Sequence, residues 1–380
     1  MPFNIDPKQQ AVRDEVKAFA EKNMYPISVE WDQKPEPRPF PRDLYEKFGA
    51  AGFLGYNSPT EYGGKGKSNL EYITLIEELC YHDAAFGLLN AVGELASYPI
   101  VHFANDEQKK KYLPNCISGK KVCAFVLTEP NAGSDAANVQ TTAVDKGDHY
   151  LVNGEKIFIM HGDVAEIAVL FCKIEDKPKM SALLVETDQP GWDKRTLKNK
   201  MGMRAATTGG IVIKDVKVPK ENLLGEFGKG FRYAMMTLDG ARIGVAAQGV
   251  GVAQRALDES VAYAKKRIAF GAPIAKLQAI QWMIADMSTR LEAARMLCYK
   301  AAMLQDAGER FSLEAAHAKL FCSETAGFCV DRAMQIHGGY GYIGEFSPIE
   351  KLYRDQRVLE IYEGTSEVQR LVIAGNVIGR

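Results

Sequence analysis

The spacing of hydrophobic residues separates the chain into three regions. In the first region hydrophobic positions recur at helical intervals, for example at Val12, Val16 and Phe19. The middle region replaces this interval with short stretches rich in β-branched residues, which turn signals separate. In the last region the helical interval returns and continues to the end of the chain. The pattern predicts an N-terminal α-helical domain, a central β domain and a C-terminal helical bundle, over residues 1–120, 121–225 and 226–380.

The middle region contains several predicted strands and one predicted turn. Strands are expected over residues 166–174, 180–186 and 211–218. Asn153-Gly154 lies between apolar stretches and predicts the tight turn of a β-hairpin. The regular spacing of turns favours a compact antiparallel sheet or a small barrel. The predicted class is α+β, and a Rossmann nicotinamide enzyme is not supported because no strand runs into a G-x-G-x-x-G segment.

The balance of acidic and basic residues argues against nucleic acid and anionic membranes as partners. The 380 residues include 47 Lys and Arg and 48 Asp and Glu, so the formal net charge is -1. A chain without a basic cluster offers no electrostatic surface to nucleic acid or to an anionic membrane. We therefore expect neither partner.

The seven cysteines are scattered, without a C-x-x-C pair or a Cys/His cluster of zinc-binding spacing. We expect neither a disulfide framework nor a metal site. The first residues lack the basic and then apolar layout of a signal peptide. No uncharged apolar run reaches the ~18 residues that a membrane span needs. The expected location is cytoplasmic.

A first candidate functional segment runs from Phe125 to Asp135, where an apolar, strand-like stretch opens into Pro, Gly and Ser. The hydroxyls of Thr128 and Ser134 and the free amides beside Gly133 could hold the polar edge of a ring or a phosphate. A capped turn explains the same residues equally well.

A second candidate segment is Lys265-Lys-Arg-Ile-Ala-Phe-Gly-Ala-Pro273, at the end of a predicted helix. Arg267 could bind a pyrophosphate through two hydrogen bonds. Basic residues in a last helical turn more often complement the helix dipole and stay solvated, so this segment alone is weak evidence for function.

A third candidate segment is Gln335-Ile-His-Gly-Gly-Tyr-Gly-Tyr342. Gly338 and Gly339 would let the backbone approach a ligand closely, because they lack Cβ atoms. A helix C-cap followed by a turn is the alternative. His337 is interpreted as structural.

A fourth candidate segment is Glu360-Ile-Tyr-Glu-Gly-Thr-Ser-Glu367. Glu363 precedes Gly364 and a Thr-Ser pair that could cap the final helix. A glutamate in an apolar pocket has a raised pKa, which suits a base that works near neutral pH. A surface glutamate beside a helix start is the alternative.

Together, in this order and at these intervals, the four segments resemble the acyl-CoA dehydrogenase family over essentially the whole chain. The chain contains T-E-P-x-A-G-S-D, R-x-x-F-G, Q-x-x-G-G and I-Y-E-G-T, and its C-terminal half is most similar to the short-chain, butyryl-CoA branch. The resemblance implies a helical domain, a small β-barrel domain and a four-helix bundle. It also implies FAD as cofactor, an acyl-CoA substrate, a homotetramer, and electron-transferring flavoprotein as electron acceptor.

The resemblance also implies roles for individual residues. Glu363 would be the catalytic base, which takes the α-proton while the β-hydrogen leaves as hydride to flavin N5. Some relatives carry the base at the position of Ala241, where alanine cannot serve. The residues expected to bind FAD are Phe125, Leu127, Thr128, Gly133, Ser134, Phe158, Met160, Arg267, Phe270, Gln278, Gln335, Gly338, Gly339, Thr365 and Glu367. The residues expected to contact the substrate are Ser134, Asp239, Arg242, Gly364 and Glu94.

Several positions depart from the family pattern, among them Phe158, His161 and Gly210, and two further ones bear on the chemistry. Met160 stands where a hydroxyl is expected near flavin N5, and a thioether accepts hydrogen bonds weakly and donates none. Glu94 stands where a small polar residue is more usual, on the helix that borders the acyl pocket in relatives. Glu94 is either a solvated residue at the rim of the pocket or a second carboxylate inside it.

The leading interpretation is an FAD-dependent dehydrogenase of a short or compact acyl-CoA. Met160 and Glu94 keep open an enoyl-CoA reductase, or a dehydrogenase of a cyclic, aryl-substituted or dicarboxylic acyl-CoA. A non-catalytic flavin- or CoA-binding family member is a further alternative, which the intact segment around Glu363 disfavours.

Overall fold

The computed structural model describes residues 6–174 and 179–379, and its elements follow the predicted order of helices, strands and helices. The N-terminal helices begin at residues that the sequence equips for capping. Asp6, Ser68 and Asn105 each form a capping box with the glutamine or glutamate three residues later. These helices are α1 (Pro7–Asn23), α2 (Ser28–Gln33), α3 (Arg42–Ala50), α4 (Asn69–His82), α5 (Ala84–Phe103) and α6 (Asp106–Ile117).

The strands of the middle region form a mixed sheet in which β4 pairs with three other strands. They are β1 (Cys123–Val126), β2 (Thr142–Asp145), β3 (His149–Met160), β4 (Ile167–Ile174), β5 (Met180–Glu186), β6 (Trp192–Thr196) and β7 (Thr208–Pro219). The three predicted strands are confirmed as β4, β5 and the body of β7. Both β1 and β2 pair with β4 in parallel, whereas β2–β3, β3–β7, β4–β5 and β6–β7 are antiparallel.

The expectation of an antiparallel sheet is therefore wrong for β1 and β2. The chain leaves β1 through a long loop and returns to β4 only after β3, and parallel neighbours need such long connections. Turn spacing along the sequence does not reveal this crossover.

The predicted hairpin turn at Asn153-Gly154 is also wrong. Both residues lie inside β3, where the register against β7 shifts between Val152 and Gly154. A Cβ on Gly154 would lie 2.4 Å from the Thr141 hydroxyl oxygen, so the glycine permits a close approach within the sheet. The hairpin between β2 and β3 turns instead at Gly147, whose φ is 97°.

The C-terminal region forms the predicted four-helix bundle. Its elements are α7 (Gly230–Lys266), the short strands β8 (Ile268–Ala269) and β9 (Ala272–Pro273), and the helices α8 (Gln278–Asp306), α9 (Ser312–His337), α10 (Gly339–Tyr342), α11 (Ile349–Gln356) and α12 (Ser366–Ile378). Helix α9 packs against α7, α8 and α12, and α7 also contacts α4 and α5 of the N-terminal region. The bundle and the first helices thus share one interface, and the candidate site lies there.

Helix α5 is the most apolar long element at this interface. By length and composition it could cross a membrane, but 78% of its most apolar stretch is buried inside the protein. It contacts α4, α6 and α7 and strand β1. The seven cysteines are free thiols and all of them are buried.

Candidate active site

A cavity lies where α5, α7 and the loop before α12 meet. It holds about 410 Å³ of empty space, counting the part that opens to solvent. Its apolar wall comes from residues of α5 at helical spacing, and small residues of α7 form the facing wall. The lining residues are Tyr72, Leu88, Ala91, Val92, Glu94, Leu95, Met160, Gly240, Ala241, Gly244, Val245, Gln248, Tyr362 and Glu363. The cavity therefore brings Glu363, Met160 and Glu94 together.

Glu363 sits in a left-handed turn that the neighbouring side chains hold in place. Its φ is 54° and that of Gly364 is 87°. The Gln369 side-chain amide donates hydrogen bonds to the carbonyl oxygens of Glu363 at 3.2 Å and Gly364 at 2.9 Å. The buried Lys319 ammonium donates to the Gly364 carbonyl at 2.7 Å. An unfavourable backbone conformation that three such hydrogen bonds fix is typical of a functional position.

The carboxyl group of Glu363 is buried and incompletely hydrogen-bonded. Its Oε2 atom has no hydrogen-bond partner among the described residues. Burial raises the pKa of Glu363 to about 7, although the positive charges of Arg242 and Lys319 act to lower it. A carboxylate with this pKa can accept a proton at neutral pH and is matched to general-base chemistry.

Glu94 is half-buried and lines the same cavity. Its Oε2 atom accepts a long hydrogen bond of 3.5 Å from the Tyr72 hydroxyl. The Asn57 side chain lies nearby and acts to lower the pKa of Glu94. Burial raises the pKa of Glu94 to about 7. Of the two alternatives that the sequence left open, the structure supports a second carboxylate in the cavity.

The predicted substrate residues on α7 form an ion pair beside the cavity. The Arg242 guanidinium contacts Asp239 Oδ1 at 2.5 Å, and the Ser312 hydroxyl donates to the other carboxylate oxygen of Asp239. Arg242 Nε has no hydrogen-bond partner among the described residues. Arg242 is therefore held in place by Asp239 while it keeps a free donor close to Glu363.

The β1 loop, which contains Thr128 and Ser134, lies beside the end of β3. The Ile157 N–H donates to the Thr128 carbonyl oxygen at 3.0 Å. Next to this contact, Glu129 and Lys156 form a buried ion pair of 2.9 Å. These contacts fix the loop against the strand that carries Phe158, whose side chain is 66% exposed.

Met160, at the end of β3, meets a hydroxyl from another strand. The Thr208 hydroxyl donates to Met160 Sδ at 3.2 Å. The hydroxyl expected at position 160 is thus absent, but one lies next to the sulfur atom. The adjacent His161 is fully buried against Phe40 and Tyr45, and burial lowers its pKa to about 3.

A second cavity lies at the other end of α9, apart from the first. Arg267, Gln335, Gly338 and Gly339 line it, together with His337, which the sequence analysis treated as structural only. The Arg267 guanidinium lies 5.6 Å from the centre of the Tyr340 ring, and no ion pair involves it within the described part of the chain. Gly338 and Gly339 leave open space where a Cβ would stand.

Phe270 and Gln278 are close in sequence to the lining residues Arg267 and Ile274, but neither of them lines the second cavity. The R-x-x-F-G segment forms the β8–β9 hairpin, with Phe270 and Gly271 at its tip in left-handed conformations of φ 52° and 79°. The Phe270 side chain is 94% exposed, and Gln278 is the exposed first residue of α8. Thr365 accepts a hydrogen bond from the Val368 N–H and caps α12, as expected.

Lys319 and Gln369 are site residues that sequence reasoning missed. Lys319 lies on α9 at helical spacing from Ala315, Cys322 and Ala326, all of them buried. A charged residue in such an apolar stripe predicts a buried partner, so periodicity alone could have identified it. Gln369 carries no comparable signal, because a glutamine in a first helical turn is ordinary.

Comparisons with known proteins identify the family. Models of the N-terminal, middle and C-terminal domains of acyl-CoA dehydrogenases match residues 6–120, 124–216 and 228–378. The chain is 44% identical over 382 residues to the short-chain specific acyl-CoA dehydrogenase of Clostridium acetobutylicum, which covers 99% of this chain and 100% of that protein. It is 44% identical over 375 residues to the caffeyl-CoA reductase-Etf complex subunit CarC of Acetobacterium woodii, which covers 98% of each. The structure of butyryl-CoA dehydrogenase from Megasphaera elsdenii matches with a TM-score of 0.95 at 40% identity and covers 100% of both chains.

Acyl-CoA dehydrogenases use FAD, and the residues of the second cavity fit such a group. A guanidinium without an ion pair, two glycines beside open space and an exposed aromatic ring suit an anionic ligand with planar rings. The described residues contain no cluster of His, Cys, Asp and Glu that could hold a metal ion. Because the three domain models cover almost the whole chain, the protein belongs to the acyl-CoA dehydrogenase family of FAD-dependent oxidoreductases that act on CH–CH bonds.

Proposed function

We propose that the protein oxidises a short or compact acyl-CoA thioester to the trans-2-enoyl-CoA, with Glu363 as the catalytic base. Glu363 takes the α-proton, the α C–H electron pair becomes the second bond between Cα and Cβ, and the β-hydrogen departs with its electron pair. Bound FAD supplies the acceptor for that hydride. The observation that carries the proposal is the Glu363 carboxyl in the cavity, whose buried Oε2 atom has no hydrogen-bond partner among the described residues and whose pKa is raised to about 7.

The remaining site residues would bind and polarise the thioester. We assign the backbone N–H of Glu363 to the thioester carbonyl, since a fixed donor at a developing oxyanion lowers the reaction barrier. Ser134, Asp239, Arg242 and Gly364 would contact the CoA thioester and pantetheine. The held Asp239–Arg242 pair and its free Nε donor support this assignment.

The FAD residues would come from two places in the molecule and from two subunits. The β1 loop and β3 would contribute Phe125, Leu127, Thr128, Gly133, Ser134, Phe158 and Met160. The second cavity and its surroundings would contribute Arg267, Phe270, Gln278, Gln335, Gly338 and Gly339, with Thr365 and Glu367 near α12. The exposed Phe270 ring supports a partner subunit at this surface, and we propose a homotetramer.

A reductase is the second candidate function. The relative from Acetobacterium woodii is named as a caffeyl-CoA reductase, and it is as similar to this chain as the Clostridium acetobutylicum dehydrogenase is. In that direction Glu363 would return the proton to Cα of an aryl-substituted enoyl-CoA. The same relative is named with an Etf complex, which supports electron-transferring flavoprotein as the redox partner in either direction.

Anaerobic titration of the FAD-loaded protein with acyl-CoA esters tests the proposal. We expect a short or compact ester to bleach the flavin absorbance within seconds. The Glu363→Gln variant keeps its FAD, but its bleaching rate falls by about 10²- to 10⁴-fold, the usual contribution of a general base. Glu360→Gln, a nearby glutamate outside the cavity lining, is the matched control and bleaches at the parent rate.

The outcomes separate the two candidates. Rapid bleaching of the Glu363→Gln variant would contradict the role of Glu363. Failure of every saturated ester to bleach the protein, together with rapid reoxidation of chemically reduced protein by an aryl-substituted enoyl-CoA, would favour the reductase.

A further inference from the structure

We propose that Glu94 selects acyl-CoA esters whose acyl group carries an uncharged hydroxyl beyond the α and β carbons. The inference rests on the proposed function, because it takes the cavity at Glu363 to be the acyl site. It adds a specificity-determining residue and a substrate class, a compact hydroxylated acyl-CoA.

The position of Glu94 leaves part of its hydrogen-bonding capacity facing the cavity. A carboxyl group can form about four hydrogen bonds. Tyr72 on α4 supplies one partner, at 3.5 Å, and the Asn57 side chain of the preceding loop lies nearby. The lining residues around Glu94 on α5, namely Ala91, Val92 and Leu95, supply none.

The facing wall also offers Glu94 no partner. Gly240, Ala241 and Gly244 line it with little more than backbone, and a Cβ at Gly244 would meet nothing within 4 Å. The Gln248 Oε1 atom accepts the Tyr362 hydroxyl at 2.5 Å, and among the described residues the Gln248 amide forms no hydrogen bond to Glu94. The remaining partners of Glu94 must come from water or from the bound acyl group.

An acyl group that enters the cavity displaces that water and sets the selectivity. A hydrocarbon group leaves the Glu94 carboxyl unsatisfied, whereas a hydroxyl group restores a hydrogen bond. Sites that contain a buried polar group reject analogues that cannot bond to it. The expected preference for the hydroxylated ester is about 10- to 100-fold in affinity.

Charge excludes the corresponding dicarboxylic ester. Neither lysine nor arginine lines the cavity within the described residues, and the nearby Arg242 is paired with Asp239. A distal carboxylate near Glu94 would therefore meet that carboxyl group and no cation of the cavity lining. Like charges that share a desolvated site repel each other strongly, so an acidic acyl end is disfavoured.

Three five-carbon esters test the inference: pentanoyl-CoA, 5-hydroxypentanoyl-CoA and glutaryl-CoA. Their dissociation constants are measured by flavin absorbance titration of FAD-loaded Glu363→Gln protein, in which turnover is suppressed. We expect 5-hydroxypentanoyl-CoA to bind about 10- to 100-fold more tightly than pentanoyl-CoA, and glutaryl-CoA to bind most weakly.

Substitutions at position 94 in the same background identify the group responsible. Glu94→Leu abolishes the preference for the hydroxyl ester, because the cavity then lacks a polar partner for it. Glu94→Gln keeps that preference and binds glutaryl-CoA more tightly, because the amide cannot become negatively charged. Glu155→Leu, which removes an exposed carboxylate from β3, is the control and leaves all three constants unchanged.

Equal affinities of the hydroxyl and methyl esters, or a hydroxyl preference that survives Glu94→Leu, would overturn the inference. So would failure of all three esters to bind. Failure of the proposed function looks different: the protein with Glu363 intact does not react with any saturated ester, while the order of the three dissociation constants stays as predicted.

Discussion

The pKa of Glu94 is raised because the cavity solvates the charged carboxylate poorly. The unfolded chain releases this proton near the ordinary glutamate value of 4.5, and the folded protein releases it at about 7. Between these values the folded state binds more protons, so stability falls as the pH rises through this window. The stabilising contribution of the bound Glu94 proton is complete below about pH 4.5 and is lost by about pH 7.

The variant Glu94→Gln, which stays neutral at every pH, should reveal this loss. We expect it to unfold at the same temperature as the parent at pH 5 and at a higher temperature at pH 8. The difference at pH 8 should be on the order of 1 kcal/mol. Thermal unfolding of both FAD-loaded proteins at the two pH values checks this, and a difference that is larger at pH 5 would contradict it.

Lys319 should position the Glu363 turn and set the pH at which Glu363 works. Burial lowers the pKa of Lys319 to about 8, so it stays mostly charged at pH 7, and this charge lowers the pKa of Glu363. In the proposed mechanism catalysis needs the Glu363 carboxylate, so we expect the rate to rise with pH through the Glu363 pKa, with a midpoint near 7. In Lys319→Met the midpoint should move to higher pH, and kcat should fall by about tenfold as the Gly364 carbonyl loses one of its two donors.

The pH profile of kcat/KM distinguishes this role from a purely structural one. Lys300→Met, at a largely exposed lysine of α8, is the control and keeps the parent profile. A Lys319→Met protein with lower stability but an unmoved midpoint would show that Lys319 only supports the fold.

Individual site residues were predictable from sequence only where a motif carried them. Glu363 was recognised because its I-Y-E-G-T segment is specific, and Glu94 was noticed because it departs from a pattern. Whether Glu94 was solvated could not be read from sequence, because its exposure depends on how α5 packs against α7. Lys319 meets the Gly364 carbonyl across 45 positions of sequence, a contact that no local pattern encodes.

Among the elements, the helices were easier to predict than the pairing of strands. Helical periodicity reports burial directly, and the capping boxes at Asp6, Ser68 and Asn105 mark real helix starts. The prediction of a turn at Asn153-Gly154 was wrong because Gly154 allows a close contact with Thr141 within the sheet. A close approach between segments uses the same residue type as a tight turn, so local sequence cannot separate the two.

The contact between α4 and α7 depends on one glycine. A Cβ on Gly251 of α7 would lie 2.1 Å from the Glu77 carbonyl oxygen of α4. Because that oxygen belongs to backbone, the helices must separate, and we expect Gly251→Ala to destabilise the protein by about 1–3 kcal/mol. Chemical denaturation provides the measurement.

Gly240→Ala is the matched control on the same helix. Its added Cβ would meet only side-chain atoms at 3.5 Å or more. Alanine also favours helix, so this variant should be as stable as the parent or more stable by up to about 1 kcal/mol. Equal effects of the two substitutions would rule out the helix contact as the cause.

For the whole molecule, the order of the three regions followed from periodicity, and the segments 1–120, 121–225 and 226–380 stay a prediction as domains. The sequence did not predict that the two cavities lie apart within one subunit. We propose that exposed apolar residues of the bundle complete the second cavity by contacting another subunit. They include Phe270, Trp282, Tyr342, Phe346, Leu371 and Val377.

We expect this exposed apolar surface to be buried between subunits of the proposed homotetramer. Leu371 on α12 is 72% exposed, and Leu371→Asp should shift the protein to smaller species and lower its FAD content. Val29→Asp, at a 64% exposed valine of α2, is the control and should leave both unchanged. Light scattering after size-exclusion chromatography and the flavin absorbance ratio provide the readouts, and an unchanged mass for Leu371→Asp would exclude α12 from the interface.

The seven buried thiols can report how often each region of the protein opens. Cys80 and Cys116 lie in the N-terminal helices, Cys123 and Cys172 in the sheet, and Cys298, Cys322 and Cys329 in the bundle. A buried thiol reacts with an alkylating reagent only while its surroundings are open, so each labelling rate measures the opening of one region. Peptide-level mass spectrometry of the native protein under dilute reagent would then rank the three regions by how often each opens, without any mutation.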